Sequence, residues 1–337
     1  EPLSLVVDRT GIYYDATGPS ALENLLNSGG WEEPALMASA EKALAAIIHH
    51  GLSKYNHAPD ASPHLLGEAD PDSPRVLIID QTVGDASVSL GLADASSFAA
   101  MLADAKTRFP GARIFVKTHP DVLAGKKQGY LTAQAKAEGA TLIAEDVSPL
   151  SLLAQADVVY TVTSQMGFEA LLLGKEVHCF GMPFYAGWGL TEDAVSCPRR
   201  TKKRTLLEVF AAAYLLYARY VNPVTGNLCD IHDTIERLAV QREKNEQNRG
   251  FHACFGYSLW KHPHARAYLQ STGSSFRFFK YFHGEQCAVS CAARRGGDVV
   301  AWSSKCVDGR LEELCRRAGV PLVRMEDGFI RSVGLGS

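Results

Sequence analysis

The chain has 337 residues, 46% hydrophobic and 21% charged, with a formal net charge of -3. That length accommodates two domains with separate cores, and the composition excludes a disordered chain and gives no reason to expect nucleic acid as a partner. No apolar run reaches transmembrane length, Glu1-Pro-Leu-Ser-Leu5 does not read as a signal peptide, and the eight cysteines are scattered singly. The cytoplasm is therefore the expected compartment, with the thiols reduced and used in packing.

Residues 3–7 read as a strand, and Gly11 to Asp15 as a second strand completing a hairpin. Ser20 caps a short helix through Leu26. Pro34 opens a longer helix to about His50, with Leu36, Ala40, Leu44, Ile47 and Ile48 on one face. Lys54 to Pro74 has no periodicity and is the best candidate for a domain boundary. Strands and helices then alternate, which predicts a parallel sheet. The strands are Arg75–Asp80, Arg113–Lys117, Thr141–Ala144, Val158–Val162 and Val177–Phe180; Asp94 caps a helix from Ala95 to Phe109, Ala124 to Glu138 is helical in its later part, Pro149 to Gln155 is a short helix, and a further helix follows Ser164. Thr205 to about Glu243 reads as helical, broken at Asn222-Pro223, with Gln241 to Asn248 a solvated linker. From Phe251 a second α/β unit begins, with strands at Ala253–Tyr257, Phe276–Phe282, Val299–Trp302 and Pro321–Met325. Arg199, Arg200, Lys202, Lys203 and Arg204 form the only dense basic cluster. It reads as a solvated segment or as a patch drawn to an anionic substrate or membrane surface.

In a parallel sheet the ligand sits beyond the carboxyl ends of the strands. Periodicity places Gln81–Asp85, Lys117–Pro120, Thr163–Gln165 and Gly181–Trp188 on that one rim. Ser164 either caps its helix or presents a helix N-terminus to a phosphate. His119-Pro120 is a turn or a phosphate clamp, with Lys117 adding positive charge. Asp85 is a turn or cap aspartate, or a catalytic carboxylate. Glu326 and Asp327 offer the second carboxylate, able to divide acid and base roles with it. Trp188 reads as packing; Tyr185 packs or stacks on sugar.

The stretches Gln81-Thr-Val-Gly-Asp85, Lys117-Thr-His-Pro-Asp-Val122, Val162 to Lys175, Cys179 to Thr191 and Glu326 to Gly336 resemble the capsule polysaccharide proteins of the KpsC type, over nearly the whole chain. These are retaining β-Kdo transferases that build the poly-Kdo linker on a phosphatidylglycerol anchor. The resemblance implies an α/β fold of the GT-B architecture, with two Rossmann-like domains facing a cleft. It implies CMP-Kdo as donor, a Kdo-bearing glycolipid as acceptor, no cofactor and no metal. The location it implies is cytoplasmic, with peripheral contact at the inner membrane of a Gram-negative bacterium.

Carried over, Asp85 is the nucleophile that forms a Kdo-enzyme adduct, Glu326 the general acid/base and Asp327 its support. His119 and Ser164 bind the CMP phosphate, with Lys117 and Thr163 beside them, and Gln165 and Glu169 reach the cytidine or ribose. On this scheme residues 1–55 belong to the acceptor-side domain and 75–200 form the CMP-Kdo-binding domain. Residues 201–248 are C-terminal helices and linker, and 250–337 an acceptor-side domain of the same or the next module. The motif order is permuted relative to one family module, because the Glu326 motif comes last. Either the chain runs from one tandem module into the next, or its ends meet in a permuted site. A non-catalytic nucleotide-sugar binding module and a GT-B epimerase acting on a UDP-sugar are the alternative functions.

Overall fold

The run Arg75-Val-Leu-Ile-Ile79 has apolar side chains on both of its faces, and both faces are buried. In the computed structural model, which describes residues 2–280, 284–306 and 308–329, Leu77 and Ile79 enter one hydrophobic cluster while Val76 and Ile78 enter another on the opposite side. Successive strand side chains point to opposite faces, so a sheet covered by helices on both sides needs such continuous apolar strands. Val158 and Tyr160 divide from Val159 in the same way.

That strand lies centrally in a six-stranded, all-parallel sheet whose order is Thr141–Ile143, Arg113–Lys117, Arg75–Ile79, Val158–Thr161, Glu176–Cys179, Glu192–Asp193. The chain winds outward one way from Arg75–Ile79, then returns to its other side at Val158–Thr161. The switch of direction therefore falls between those two strands, the place where such sheets open a ligand crevice.

Contacts divide the chain into two units, Glu1–Val240 and Gln241–Ser337. The second has its own four-stranded parallel sheet, ordered Ser274–Phe279, Gly250–Phe255, Asp298–Trp302, Leu322–Met325. Phe251, Ala253 and Phe255 pack on one face and Cys254 on the other. A mixed α/β fold with parallel sheets is thus what the alternating pattern predicted.

Several expectations are corrected. Gly11–Asp15 is not a strand; Ser4–Val6 pairs antiparallel with Ala218–Val221 instead. That partner lies in a stretch expected to be helical, where Leu206–Phe210 is α, Ala211–Tyr217 is π, and the chain then turns extended. The solvated linker at Gln241 continues the helix Ile231–Gln247. The Lys54–Pro74 segment does not separate domains. Its Leu66 is fully buried, and it is tied to the Pro149–Leu153 helix region by Ser148 N donating to Pro59 O (2.7 Å), Ala61 N to Ser151 Oγ (2.8 Å) and Leu66 N to Gln155 Oε1 (3.2 Å). Residues expected on the acceptor side, among them Leu22, Leu26, Ala40 and Ile47, share a core with Leu77, Phe168 and Val209 in the first unit.

The basic cluster is divided: Arg200 and Arg204 are buried, Arg199 is half-buried, and Lys202 and Lys203 are exposed. Arg199 Nε and Arg200 Nε donate to the buried Glu23 carboxylate at 2.7 and 3.2 Å, and Arg204 pairs with Glu32 and Glu208. Lys202 Nζ donates to Ser28 O at 2.8 Å. These cations fasten the Ala21–Asn27 helix and its exit to the Cys197–Arg204 loop.

Candidate functional site

A cavity of 770 Å³ opens at the switch point, and the described residues that line it belong to the first unit. Asp85, Lys117, His119, Thr163, Ser164, Gln165 and Glu169 all line it. Seven residues singled out from the sequence therefore meet in one place.

Gln81 ties the two switch-point strands together. Its Nε2 donates to Asp85 Oδ2 (3.1 Å) and Thr163 Oγ1 (3.0 Å), while its Oε1 accepts from the Thr163 amide (3.0 Å). Asp85 caps the Ala86–Leu90 helix, its Oδ1 accepting from Ser87 N (3.0 Å) and Ser87 Oγ (2.8 Å). The carboxylate is thus a cap, and it is also held at both oxygens while remaining exposed at the cavity wall. Directly before Gln81, Asp80 is buried and accepts from Gln81 N, Tyr130 N, Leu131 N and Thr132 Oγ1 at 2.9 to 3.2 Å. Burial raises its pKa against those four donors.

Ser164 caps the Gln165–Leu172 helix through Met166 N, and its own amide donates to Thr161 Oγ1 at 3.1 Å. Tyr185 Oη donates to Ser164 O at 2.5 Å. Tyr185 is fully buried and packs, as does Trp188, whose Nε1 donates to Phe184 O. Glycine is required at 167, since a Cβ there would overlap the Tyr185 hydroxyl. The turn therefore holds its amide groups at the helix N-terminus, an arrangement suited to an anion.

His119 Nδ1 accepts from the Asp121 amide at 3.1 Å. In the neutral ring the proton then sits on Nε2, available as a donor. Lys117 Nζ donates to Glu145 O at 2.8 Å and Thr118 O at 3.3 Å. Burial lowers its pKa, with Asp146 and Glu145 opposing the shift.

Glu169 is only 4% exposed. Burial pushes its carboxyl up to about 7, against hydrogen bonds from the Lys54 amide and the Ser53 hydroxyl and the charge of Lys54. Ser53, Lys54, Tyr55 and His57 also line the cavity, and nothing in the aperiodic stretch around them marks a site. Asp80 and Gln81 had a signal, since they end a strand beside the Asp85 motif.

Glu326 and Asp327 follow the Leu322–Met325 strand of the second unit, exposed and absent from the residues that line this cavity. Asp327 N donates to Glu326 Oε1 at 3.2 Å. Among the described residues, no group of three or more His, Cys, Asp or Glu side chains could hold a metal ion, and no helix is long and apolar enough to cross a membrane.

A doubly wound parallel sheet with polar strand ends converging at its switch point defines an α/β unit with a crevice where ligands of such sheets bind. The chain belongs to the capsule polysaccharide biosynthesis protein family, whose model matches residues 1–228. It is 46% and 44% identical over its whole length to the capsule polysaccharide modification proteins LipA of Neisseria meningitidis serogroups B and A, spanning 48% of each. It thus covers about half the length of those relatives. Among solved structures it is similar to Thermosulfurimonas dismutans KpsC, beta Kdo 2,4 transferase (57% identity, TM-score 0.66, 71% of this chain and 73% of that one). The beta Kdo 2,7 transferase of the same organism's KpsC matches at 32% identity, TM-score 0.56, over 71% of this chain and 72% of that one.

Proposed function

We propose that this protein is a retaining β-Kdo transferase of capsular polysaccharide synthesis. In this reading it uses CMP-Kdo to extend a poly-Kdo linker on a phosphatidylglycerol anchor, within a GT-B architecture, and the first unit binds the donor. The observation that carries the reading is the gathering of Asp85, His119, Ser164 and Glu169 around one switch-point cavity. The higher identity to the beta Kdo 2,4 transferase than to the 2,7 transferase supports a 2,4 linkage.

The chemistry is a double displacement. The Asp85 carboxylate attacks the anomeric carbon of Kdo, a carbon–oxygen bond forms, and the bond to the CMP phosphate breaks. The departing phosphate needs no proton at neutral pH; it is stabilised by the helix N-terminus at Ser164 and by His119 Nε2–H. Gln81 and Ser87 hold the Asp85 oxygens, keeping the nucleophile aimed. The acceptor hydroxyl then displaces Asp85 from the opposite face and loses its proton to a general base; the family scheme gives that role to the Glu326 motif, with Asp327 in support, in this chain's own module or in the next. Two inversions retain configuration, and no metal or cofactor enters.

The test is transfer from CMP-Kdo to a Kdo-bearing acceptor, with the linkage read by NMR. Asp85→Ala should lose transfer by a factor of 1,000 or more, an order-of-magnitude expectation for a removed nucleophile, and should keep CMP affinity in calorimetry. Turnover retained in that variant removes the nucleophile assignment. CMP binding with neither transfer nor hydrolysis of CMP-Kdo by the wild type assigns a non-catalytic module instead, and tight UDP binding assigns the epimerase.

A further inference from the structure

Asp80 follows the central strand Arg75–Ile79 at the cavity wall and is 7% exposed. Burying a carboxylate is costly unless its oxygens are fully used. Here Oδ1 accepts from Gln81 N at 2.9 Å and from Tyr130 N and Leu131 N at 3.1 Å each, while Oδ2 accepts from Thr132 Oγ1 at 3.2 Å. Three of those donors come from residues 50 to 52 positions further along the chain. They belong to the turn that opens the helix Thr132–Ala137, which has no side-chain cap from its own N-cap residue, Leu131. Asp80 supplies the missing acceptor from a different strand end. Gly129 is shaped to the same contact: its φ is not left-handed, yet a Cβ there would overlap Asp80 Oδ2 and crowd Thr132 Oγ1.

The loop between His119 and that turn is tied at both ends. At its start Asp121 N donates to His119 Nδ1 at 3.1 Å, and Asp121 O accepts from Lys126 N and Lys127 N at 2.9 and 3.1 Å. At its end Val83 N donates to Gln128 O at 2.8 Å, Thr82 and Gly129 form an antiparallel bridge, and Tyr130 N also donates to Gln81 O at 3.3 Å. One run of residues therefore carries the His119 ring at its beginning and grips the Gln81–Asp85 turn where it finishes. Asp80 fastens that run to the sheet. Its bond to Gln81 N also sets the direction in which Gln81 leaves the strand, and Gln81 Nε2 in turn donates to Asp85 Oδ2.

We propose that Asp80 is a positioning residue of the donor site. By fastening the Gly129–Thr132 turn to the end of its own strand, it fixes the separation between the Asp85 carboxylate, which attacks the sugar carbon, and His119, which holds the leaving phosphate. Asp80 acts through Gln81 and the turn, so its loss lowers turnover far more than it weakens nucleotide binding. What is aligned rests on the transferase reading; the coupling of the two turns does not.

The experiment compares the full chain with its Asp80→Ala, Gly129→Ala, Asp80→Ala/Gly129→Ala and Asp80→Asn variants, by transfer from CMP-Kdo, CMP calorimetry and backbone hydrogen exchange. Asp80→Ala and Gly129→Ala should each lower kcat by about 100-fold, the scale of a misplacement of about 1 Å. CMP affinity should stay within about threefold of wild type, because the Ser164 turn and the bond from Asp121 N to His119 are left in place. The Val83, Tyr130 and Leu131 amides should exchange about tenfold faster or more. The double variant should be no slower than either single one, since the added methyl then enters space the carboxylate has left. Asp80→Asn keeps an oxygen for the three amides and should recover most of the lost kcat. Faster exchange with unchanged kcat overturns the proposal, as does unchanged exchange in folded variants, or single losses that multiply in the double variant. If Asp80→Ala fails to fold, Gly129→Ala and Asp80→Asn decide by the same readings. A wild type that transfers nothing overturns the transferase reading instead, and the exchange of those amides then decides the coupling alone.

Discussion

Glu169 shows how far one residue in the cavity wall departs from its behaviour in water. Its carboxyl titrates near 7 in the folded chain, against an ordinary 4.5, because burial penalises the anion more than the Lys54 amide and Ser53 hydroxyl favour it. Below 4.5 the group is neutral folded or unfolded. Between 4.5 and 7 the unfolded chain ionises while the native protein keeps its proton, so stability falls as pH rises through that window and levels above it. The shift corresponds to something on the order of 3 kcal/mol. Glu169→Gln keeps the shape and removes the titration. Urea unfolding of the unliganded protein across this range should therefore show the variant gaining on the wild type by about that amount between the two ends. Parallel curves for the two proteins would mean that Glu169 is ionised in the native state. Asp85 teaches a different lesson at the same scale, because its helix-cap and site readings turned out not to compete: the bonds that make it a cap also hold its carboxylate at the cavity.

At the level of elements, the readable parts were those with a strong local signal. Ser20, Asp94 and Ser164 cap helices where their hydroxyl or carboxylate chemistry said they should, and strands buried on both faces announced themselves as continuous apolar runs. The misread elements depend on distant partners. Ala218–Val221 is extended because Ser4–Val6 pairs with it, and Lys54–Pro74 is ordered by bonds to residues nearly a hundred positions on. A π-helix has no periodicity that separates it from an α-helix in seven residues, yet it places Tyr214 against Phe168 and Phe210, behind the site helix. The arginine cluster was opaque for the same reason, since Glu23 and Glu32 lie more than 170 positions away in sequence. Its burial makes a sharp expectation. Glu23→Ala leaves Arg200 buried without its carboxylate and should cost about 3–5 kcal/mol in denaturant unfolding, whereas Glu23→Leu combined with Arg200→Met should recover most of it. Equal losses in both would show that the hydrogen bonds from Arg200 to the Pro183 and Ala186 carbonyls carry the stability instead.

For the whole molecule, the candidate donor site and the second carboxylate pair have different standing. The strand-end residues of the first unit were legible, because a parallel sheet with a known winding sends its strand ends to one crevice, whereas Ser53 to His57 reach the cavity from an aperiodic stretch that carries no such signal; the carboxylates Glu326 and Asp327 sit in a separate unit with its own sheet, and no local pattern says which site they serve. The candidate donor site can be tested in isolation. Among the described residues its wall contains none beyond Phe184, and the helix that leaves the unit buries Ile231, Thr234 and Ile235 before its course turns polar toward Gln247. A fragment of residues 1–247 keeps both hydrophobic clusters of the first unit. It should fold cooperatively and bind CMP with an affinity within about threefold of the full chain, a difference of less than 1 kcal/mol, by calorimetry. His119→Ala in the same fragment should weaken that binding by about tenfold, the share expected of one charge-assisted hydrogen bond to phosphate. A folded fragment that does not bind CMP would place essential donor contacts beyond residue 247. A fragment that binds equally well with and without His119 would move the phosphate away from the Ser164 turn and its neighbouring strand end, and with it the aim of Asp85.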